Sequence, residues 1–206
     1  MLDLSLTDKV AIVTGGSDGL GRATVERLAQ QGAKVVACAR RQSHLQSVVE
    51  QLASSTGGEI LPVAMDVSKP ADCERAIAAA ISEYGRVDIL INNAGASAAA
   101  GFEAVSDEDW YADIELKVMG AIRMCRQAIP HLRKSGGGSI VNATIGGAKA
   151  PLAKSLPTTV SRAAGINLTK SLANEYAADN IRVNTICIGL IKSCLLYTSP
   201  SPRDRG

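Results

Sequence analysis

The stretch Ala11-Ile-Val-Thr-Gly-Gly-Ser-Asp-Gly-Leu-Gly21 decides the fold. Val10–Thr14 is an apolar run ending in Thr, short enough for a buried strand. Gly15, Gly19 and Gly21 then mark a turn, and Leu20, Ala23, Val25 and Leu28 recur at helical spacing behind it. A strand that runs through a glycine-rich turn into a helix opens a strand–helix–strand unit. Such a turn also suits phosphates: a helix N-terminus is electropositive and rich in free N–H groups, and glycine has no Cβ to keep the backbone at a distance. Glycines also close tight turns that bind nothing, so the turn by itself leaves both readings open.

The same alternation continues outward from this stretch. Apolar strands are expected at 34–39, 59–64, 87–92, 139–143 and 181–187, with helices between them. One follows from about Ser43 to Ser54. Another begins after Asp66, with Ser68 as N-cap and Pro70 in its first turn. A long helix runs from Ser106-Asp-Glu-Asp-Trp110 to Lys134, and a second covers about 159–178. Strands and helices alternating with short connections predict a parallel sheet covered on both faces, each crossover right-handed.

Composition narrows the class. The chain has 206 residues, 46% hydrophobic and 20% charged, with a formal net charge of +2. One globular domain with a core of Val, Ile, Leu and Ala is expected, since aromatics make up only 3%. No basic stripe interleaves with aromatics, so nucleic acid is not an expected partner. No apolar run has the length of a membrane span, and Met1–Leu4 lacks the pattern of a signal peptide, so the expected location is cytoplasmic. Cys38, Cys73, Cys125, Cys187 and Cys194 form no C-x-x-C pair and no metal-ligand spacing, which points to reduced, mostly buried thiols and no metal site.

Further motifs fall in register with the first. Asp66-Val67 follows the third strand, Ile89-Leu-Ile-Asn-Asn-Ala-Gly95 ends the fourth, and Ile181-Arg-Val-Asn184 leads through the sixth to Gly189 and Ser193. With the spacing Thr14-Gly15-x-x-x-Gly19-x-Gly21, these make the chain resemble the short-chain dehydrogenase/reductase family. The resemblance implies a Rossmann-type doubly wound sheet and a nicotinamide cofactor. It implies cofactor contacts at Gly15, Ser17, Asp18, Gly19, Leu20 and Gly21 in the turn, and at Asp66 and Val67 around the adenine. Asn93, Ala94, Gly95, Gly189 and Ser193 would line the remainder. NAD-preferring members end the second strand with an acid that binds the ribose hydroxyls. Here Val36-Ala-Cys-Ala39-Arg40-Arg41 has no carboxylate, and Arg40 offers a guanidinium for a 2′-phosphate, which favours NADP over NAD. Arg40 and Arg41 as a solvated helix start is the plainer alternative.

Catalytic residues do not carry over. In the resembled family a Tyr protonates the substrate carbonyl as hydride arrives, and a Lys four residues later lowers its pKa and holds the ribose. A Ser orients the carbonyl, and an Asn supports a water relay. Aligned through Ser161-Arg-Ala-Ala-Gly-Ile-Asn-Leu-Thr-Lys170 and Ile140-Val-Asn-Ala-Thr-Ile145, these four positions hold Thr158, Arg162, Ile145 and Lys117. An aliphatic hydroxyl is a far weaker acid than a phenol, whose pKa starts near ~10. The catalytic residues are therefore unknown at this point. One reading is an oxidoreductase acting on a small carbonyl or alcohol, its proton coming from Lys149, Lys154, Lys117 or an ordered water. Each of those lysines is first read as a solvated surface charge. The alternative is a non-catalytic NADP-binding homologue serving as scaffold, sensor or subunit.

Residues 194–206 break the pattern. Cys194-Leu-Leu-Tyr-Thr-Ser-Pro-Ser-Pro-Arg-Asp204 has no helical or strand period and resembles the translation of an adapter used in sequencing libraries, a native disordered tail being the alternative. Residues 1–193 are read as the dinucleotide-binding domain and 194–206 as a non-native tail. The family's substrate loop, one more helix and a seventh strand would follow, so a C-terminally truncated fragment lacking the final strand is expected. The resemblance further implies homo-oligomers paired through the two long helices.

Overall fold

In the computed structural model, residues 5–189 are described. Six parallel strands form one sheet in the order β3-β2-β1-β4-β5-β6. They are β1 (Val10–Thr14), β2 (Lys34–Ala39), β3 (Ile60–Ala64), β4 (Ile89–Asn92), β5 (Gly138–Ile145) and β6 (Ile181–Ile188). Helices α1 (Gly19–Gln30), α2 (Gln42–Thr56), α3 (Pro70–Tyr84), α4 (Asp107–Ile114), α5 (Gly120–Lys134) and α6 (Thr158–Glu175) supply the crossovers. The strand order reverses between β1 and β4, and a sheet of this kind opens its ligand crevice at that switch point.

Two cores flank the sheet. On one face Ile12, Val36, Leu90 and Ile140 pack against Ile77 of α3 and Met124, Ala128 and Leu132 of α5. On the other, Val13, Val35 and Ala37 meet Val25 and Ala29 of α1 and Leu45, Val48 and Leu52 of α2. Every residue of β1 is buried, as a strand covered on both faces requires. Helices α2 and α3 both stop at a glycine in the left-handed region, Gly57 at φ 68° and Gly85 at φ 75°.

Three local expectations are corrected. The helix from Ser106 to Lys134 is not uniform: a π-helical turn, Glu115–Met119, separates α4 from α5. Ser68 does not cap α3, because its hydroxyl and backbone N–H both donate to Asp66 Oδ1, at 2.7 and 3.0 Å. Lys69 takes the cap position, and Pro70 opens the helix as expected. The last long helix ends at Glu175, after which a 3₁₀ turn, Ala177–Asp179, leads to Asn180 at φ 58° and into β6. Helix α4 starts where expected, and Ser106 caps it through a capping box with Asp109.

Candidate active site

The β1–α1 turn is held against the end of β4 by hydrogen bonds from the Thr14 hydroxyl and the Asn93 side-chain amide. Thr14 Oγ1 accepts from the backbone N–H groups of Asn93 and Ala94, both at 3.0 Å, and donates to the Ile91 carbonyl at 3.3 Å. Asn93 Nδ2 donates back to the carbonyls of Thr14 and Gly15, at 3.1 and 3.3 Å. The glycines are required where they stand. Gly15 and Gly19 have φ of 68° and 51°. A Cβ on Gly21 would lie 1.9 Å from the Gly15 carbonyl oxygen.

A cleft of about 760 Å³ runs along the carboxyl ends of β1, β2, β4 and β5. That volume is typical of small-molecule sites. Gly15, Ser17, Asp18, Gly19, Leu20, Gly21, Arg40, Asp66, Val67, Asn93, Ala94, Gly95 and Gly189 all line it. Ser193 lies outside the described residues. At the rim, Asp18 is bound by Arg41 and His44, each at 2.9 Å, and by the Ser17 hydroxyl at 2.9 Å. Burial alone would raise the Asp18 carboxyl, but these hydrogen bonds and charges outweigh it and hold the group below its usual value. Asp66 behaves likewise: burial is overcome by both Ser68 hydrogen bonds and by the charge of Arg40 and Lys69. Arg41 is thus committed to Asp18, while Arg40 lines the cleft with no ion-pair partner among the described residues.

The positions expected to do chemistry lie together at the other end. Thr158 opens α6, is buried, and borders the cleft alongside Ile145 and Arg162. Ile145 has no polar group to offer, and its neighbour Thr144 is turned to Thr185 Oγ1 and the Ile186 carbonyl of β6. Arg162 donates to the Ala143 carbonyl at 2.7 Å and presses on Gly95, where a Cβ would come within 2.3 Å of its Nη2. Burial pushes this guanidinium down, against the pull of Asp113.

Lys117 overturns its expected role as a solvated charge, whereas Lys149 and Lys154 are exposed as expected. Sitting in the π-turn, Lys117 is fully buried, ion-paired with Asp113, and its Nζ donates to Thr158 Oγ1 at 2.9 Å. Ser161 Oγ donates to the other Asp113 oxygen at 2.5 Å. Burial lowers the Lys117 pKa, Asp113 opposes that, and the Arg162 charge adds to it, leaving a net fall. Behind the cluster a second cavity of about 20 Å³ is bordered by Lys117, Arg162, Asn92 and Asn142. Asn92 Oδ1 and Arg162 Nε, both buried, find no partner among the described residues. The polar volume is enough for one bridging water. Asp113 and Ser161 had no signal in the sequence beyond their helical spacing from Lys117 and Thr158.

Among the described residues no helix is long and apolar enough to cross a membrane. The short chain dehydrogenase family model matches residues 9–203. Dehydrogenase/reductase SDR family member 4 of Oryctolagus cuniculus is 39% identical over 189 residues, which is 91% of this chain and 72% of that protein. L-Sorbose reductase of Gluconobacter frateurii, solved with NADPH and L-sorbose, superimposes with a TM-score of 0.91 at 37% identity, covering 94% of this chain and 73% of that one. An actinorhodin polyketide ketoreductase variant solved with NADPH gives 0.89 at 30% identity over 92% and 73%. With this sheet order, this glycine turn and these relatives, the chain belongs to the short-chain dehydrogenase/reductase family of oxidoreductases.

Proposed function

We propose that the chain binds NADP in the 760 Å³ cleft and transfers hydride between the nicotinamide and a small carbonyl or alcohol. The observation that carries the cofactor choice is the end of β2, where Arg40 lines the cleft with no ion-pair partner among the described residues and the strand itself ends without a carboxylate. The residues fit the group. The N–H groups of the Gly15–Gly21 turn and the α1 N-terminus would hold the pyrophosphate, since Gly21 keeps the backbone close. Asp66 and Val67 would flank the adenine, Arg40 would take the 2′-phosphate, and Asn93–Gly95 and Gly189 would line the nicotinamide half. Arg162, the residue beside Gly95, would meet the nearby ribose. When bound, the reduced cofactor supplies a hydride to a carbonyl carbon, and the protein must supply the proton.

The two NADPH-bound relatives support this reading of the cofactor. Unpaired thiols at Cys38, Cys73, Cys125 and Cys187 suit a reducing compartment, for which we propose the cytoplasm. A homo-oligomer through the α4–α5 and α6 helices is proposed with it, Tyr111 and Val160 being large apolar side chains exposed there.

Fluorescence titration with NADPH and NADH tests the cofactor. Arg40→Asp should weaken NADPH by roughly 10- to 100-fold, the worth of a charged hydrogen bond, and leave NADH nearly unchanged. Equal loss for both refutes the NADP assignment. The second reading, a non-catalytic NADP-binding protein, is favoured by the four changed positions Thr158, Arg162, Ile145 and Lys117, and above all by the aliphatic hydroxyl of Thr158 where the family has a phenol. NADPH binding without consumption by any carbonyl would decide for it.

A further inference from the structure

We propose that Thr158 protonates the substrate oxygen and that Lys117, sealed behind it, is the source of that proton. The proposal rests on the oxidoreductase reading above. A hydroxyl has two acceptor sites and one proton to give. Both acceptor sites of Thr158 Oγ1 are filled, by Lys117 Nζ at 2.9 Å and by the Ala98 backbone N–H at 3.2 Å. No described residue accepts its proton, and Thr158 borders the cleft. The O–H is thereby oriented by two donors from the protein side and left to donate to whatever enters.

An unaided threonine would be too weak an acid for this work. Lys117 changes that, because Oγ1 can release a proton while receiving one and never carries a full negative charge. The charged groups facing Lys117 are Asp113 from α4 and Arg162 from α6. Asp113 is immobilised by Ser161, which holds its second oxygen, so the ammonium is fixed within reach of Thr158. Its burial makes the ammonium a readier proton donor than a solvated lysine.

The step balances. As hydride from a reduced nicotinamide reaches the carbonyl carbon, the carbonyl π pair moves onto oxygen. That oxygen forms a bond to the Thr158 hydroxyl proton. The Thr158 O–H bond breaks as Oγ1 takes a proton from Lys117 Nζ. Threonine ends unchanged and Lys117 ends as a neutral amine. Once the alcohol leaves, Lys117 recovers its proton from solvent by the same path in reverse. Thr158 is the residue that touches substrate; Lys117 acts through it.

The test uses the full chain with NADPH and 1-phenyl-1,2-propanedione as a carbonyl probe, in wild type, Thr158→Val and Thr158→Ser. Val keeps the shape and removes the hydroxyl; Ser keeps the hydroxyl. We expect Thr158→Val to bind NADPH within about 2-fold of wild type and to lose at least ~100-fold in kcat, at the low end of what a proton donor contributes. Thr158→Ser should recover most of that loss. The wild-type kcat should fall above the Lys117 pKa. A second readout needs no turnover: in the cofactor-free protein carrying [ε-13C]lysine, one resonance should titrate below all the others, and Thr158→Val should move its midpoint lower still. Undiminished turnover by Thr158→Val, or a Lys117 resonance that titrates with the surface lysines, overturns the relay while leaving the oxidoreductase reading intact. A wild type that binds NADPH and reduces no carbonyl overturns both, and failure to bind NADPH removes the cofactor assignment itself.

Discussion

Asp113 and Lys117 form a fully buried ion pair across the junction between α4 and the π-turn, one residue on each side of it. A pair in this setting contributes little net stability, because desolvating both charges offsets their attraction. Removing one partner is a different matter. Lys117→Met should destabilise the fold by about 3–5 kcal/mol, since Asp113 is then left buried beside Ser161 without its ion-pair partner. Asp113→Leu combined with Lys117→Met should recover most of that loss. Urea unfolding of the two single variants and the double variant gives the coupling, and simple additivity would mean the pair is not an energetic unit.

Asp88 offers a test by pH. It precedes β4, its Oδ2 accepts from the Val10 N–H at 3.0 Å, and Arg86 grips it in a fork at 2.8 and 2.6 Å. Burial would raise this carboxyl, but the Arg86 and Val10 hydrogen bonds and the charges of Arg86 and Lys9 bring it below its ordinary value. A carboxyl depressed in the folded state contributes stability that is fully present above its unfolded pKa of about 3.9 and is lost as pH falls through the folded value. Asp88→Asn should therefore cost about 1.5–3 kcal/mol near neutrality, with the gap to wild type closing as pH drops below about 4. Guanidinium unfolding at several pH values measures it; a gap constant across that range would show that the charge is not what stabilises.

How much of this was legible in the sequence depended on how local the signal was. The β1–α1 turn could be read because its requirement is backbone geometry: positive φ at Gly15 and Gly19 and a Cβ-free approach at Gly21. The sheet could be read because strand and helix periods alternate cleanly. Ser68 was misread because a nearer acceptor, Asp66, competes for it, and a pattern of types does not rank competitors. The burial of Lys117 was not legible. It depends on Thr158, 41 residues away in sequence, and on the π-turn that seats the side chain between α4 and α6. Helical spacing from Asp113 to Lys117 also describes a common solvated i,i+4 pair, so the two environments look alike in sequence.

Gly21→Ala should damage the β1–α1 turn more than a methyl at Gly15 or Gly16 would through steric clash. Its Cβ would fall 1.9 Å from the Gly15 carbonyl and 2.6 Å from Asn93 Nδ2. The carbonyl belongs to backbone and cannot swing aside, so the turn must open. A stability loss of about 1–3 kcal/mol is expected from overpacking, together with weakened NADPH binding. By contrast, Gly57→Ala meets no atom within 4 Å and should suffer only its left-handed φ of 68°. Thermal unfolding and NADPH titration of both variants compare steric clash with backbone strain; equal NADPH affinity in the two would remove Gly21 from the proposed site.

The cysteines give a prediction that needs no ligand. Burial pushes the Cys38 and Cys125 thiols up to about 12, with the Cys73 charge adding at Cys38 and the Asn92 hydrogen bond opposing at Cys125. Cys73 is also raised, chiefly by burial, and all three side chains are inaccessible. Cys187, on β6, is exposed. A thiol reacts through its thiolate, so burial disfavours Cys38, Cys73 and Cys125 twice over, and access favours Cys187 among the four described cysteines. Iodoacetamide at pH 8 should label the Cys187 peptide within minutes and leave those of Cys38, Cys73 and Cys125 unmodified until denaturant is added. Peptide mass mapping reads the outcome directly. Early labelling of Cys125 would mean that α5 opens away from Leu90 and Ile140, and the core that positions Lys117 would then be looser than its packing implies.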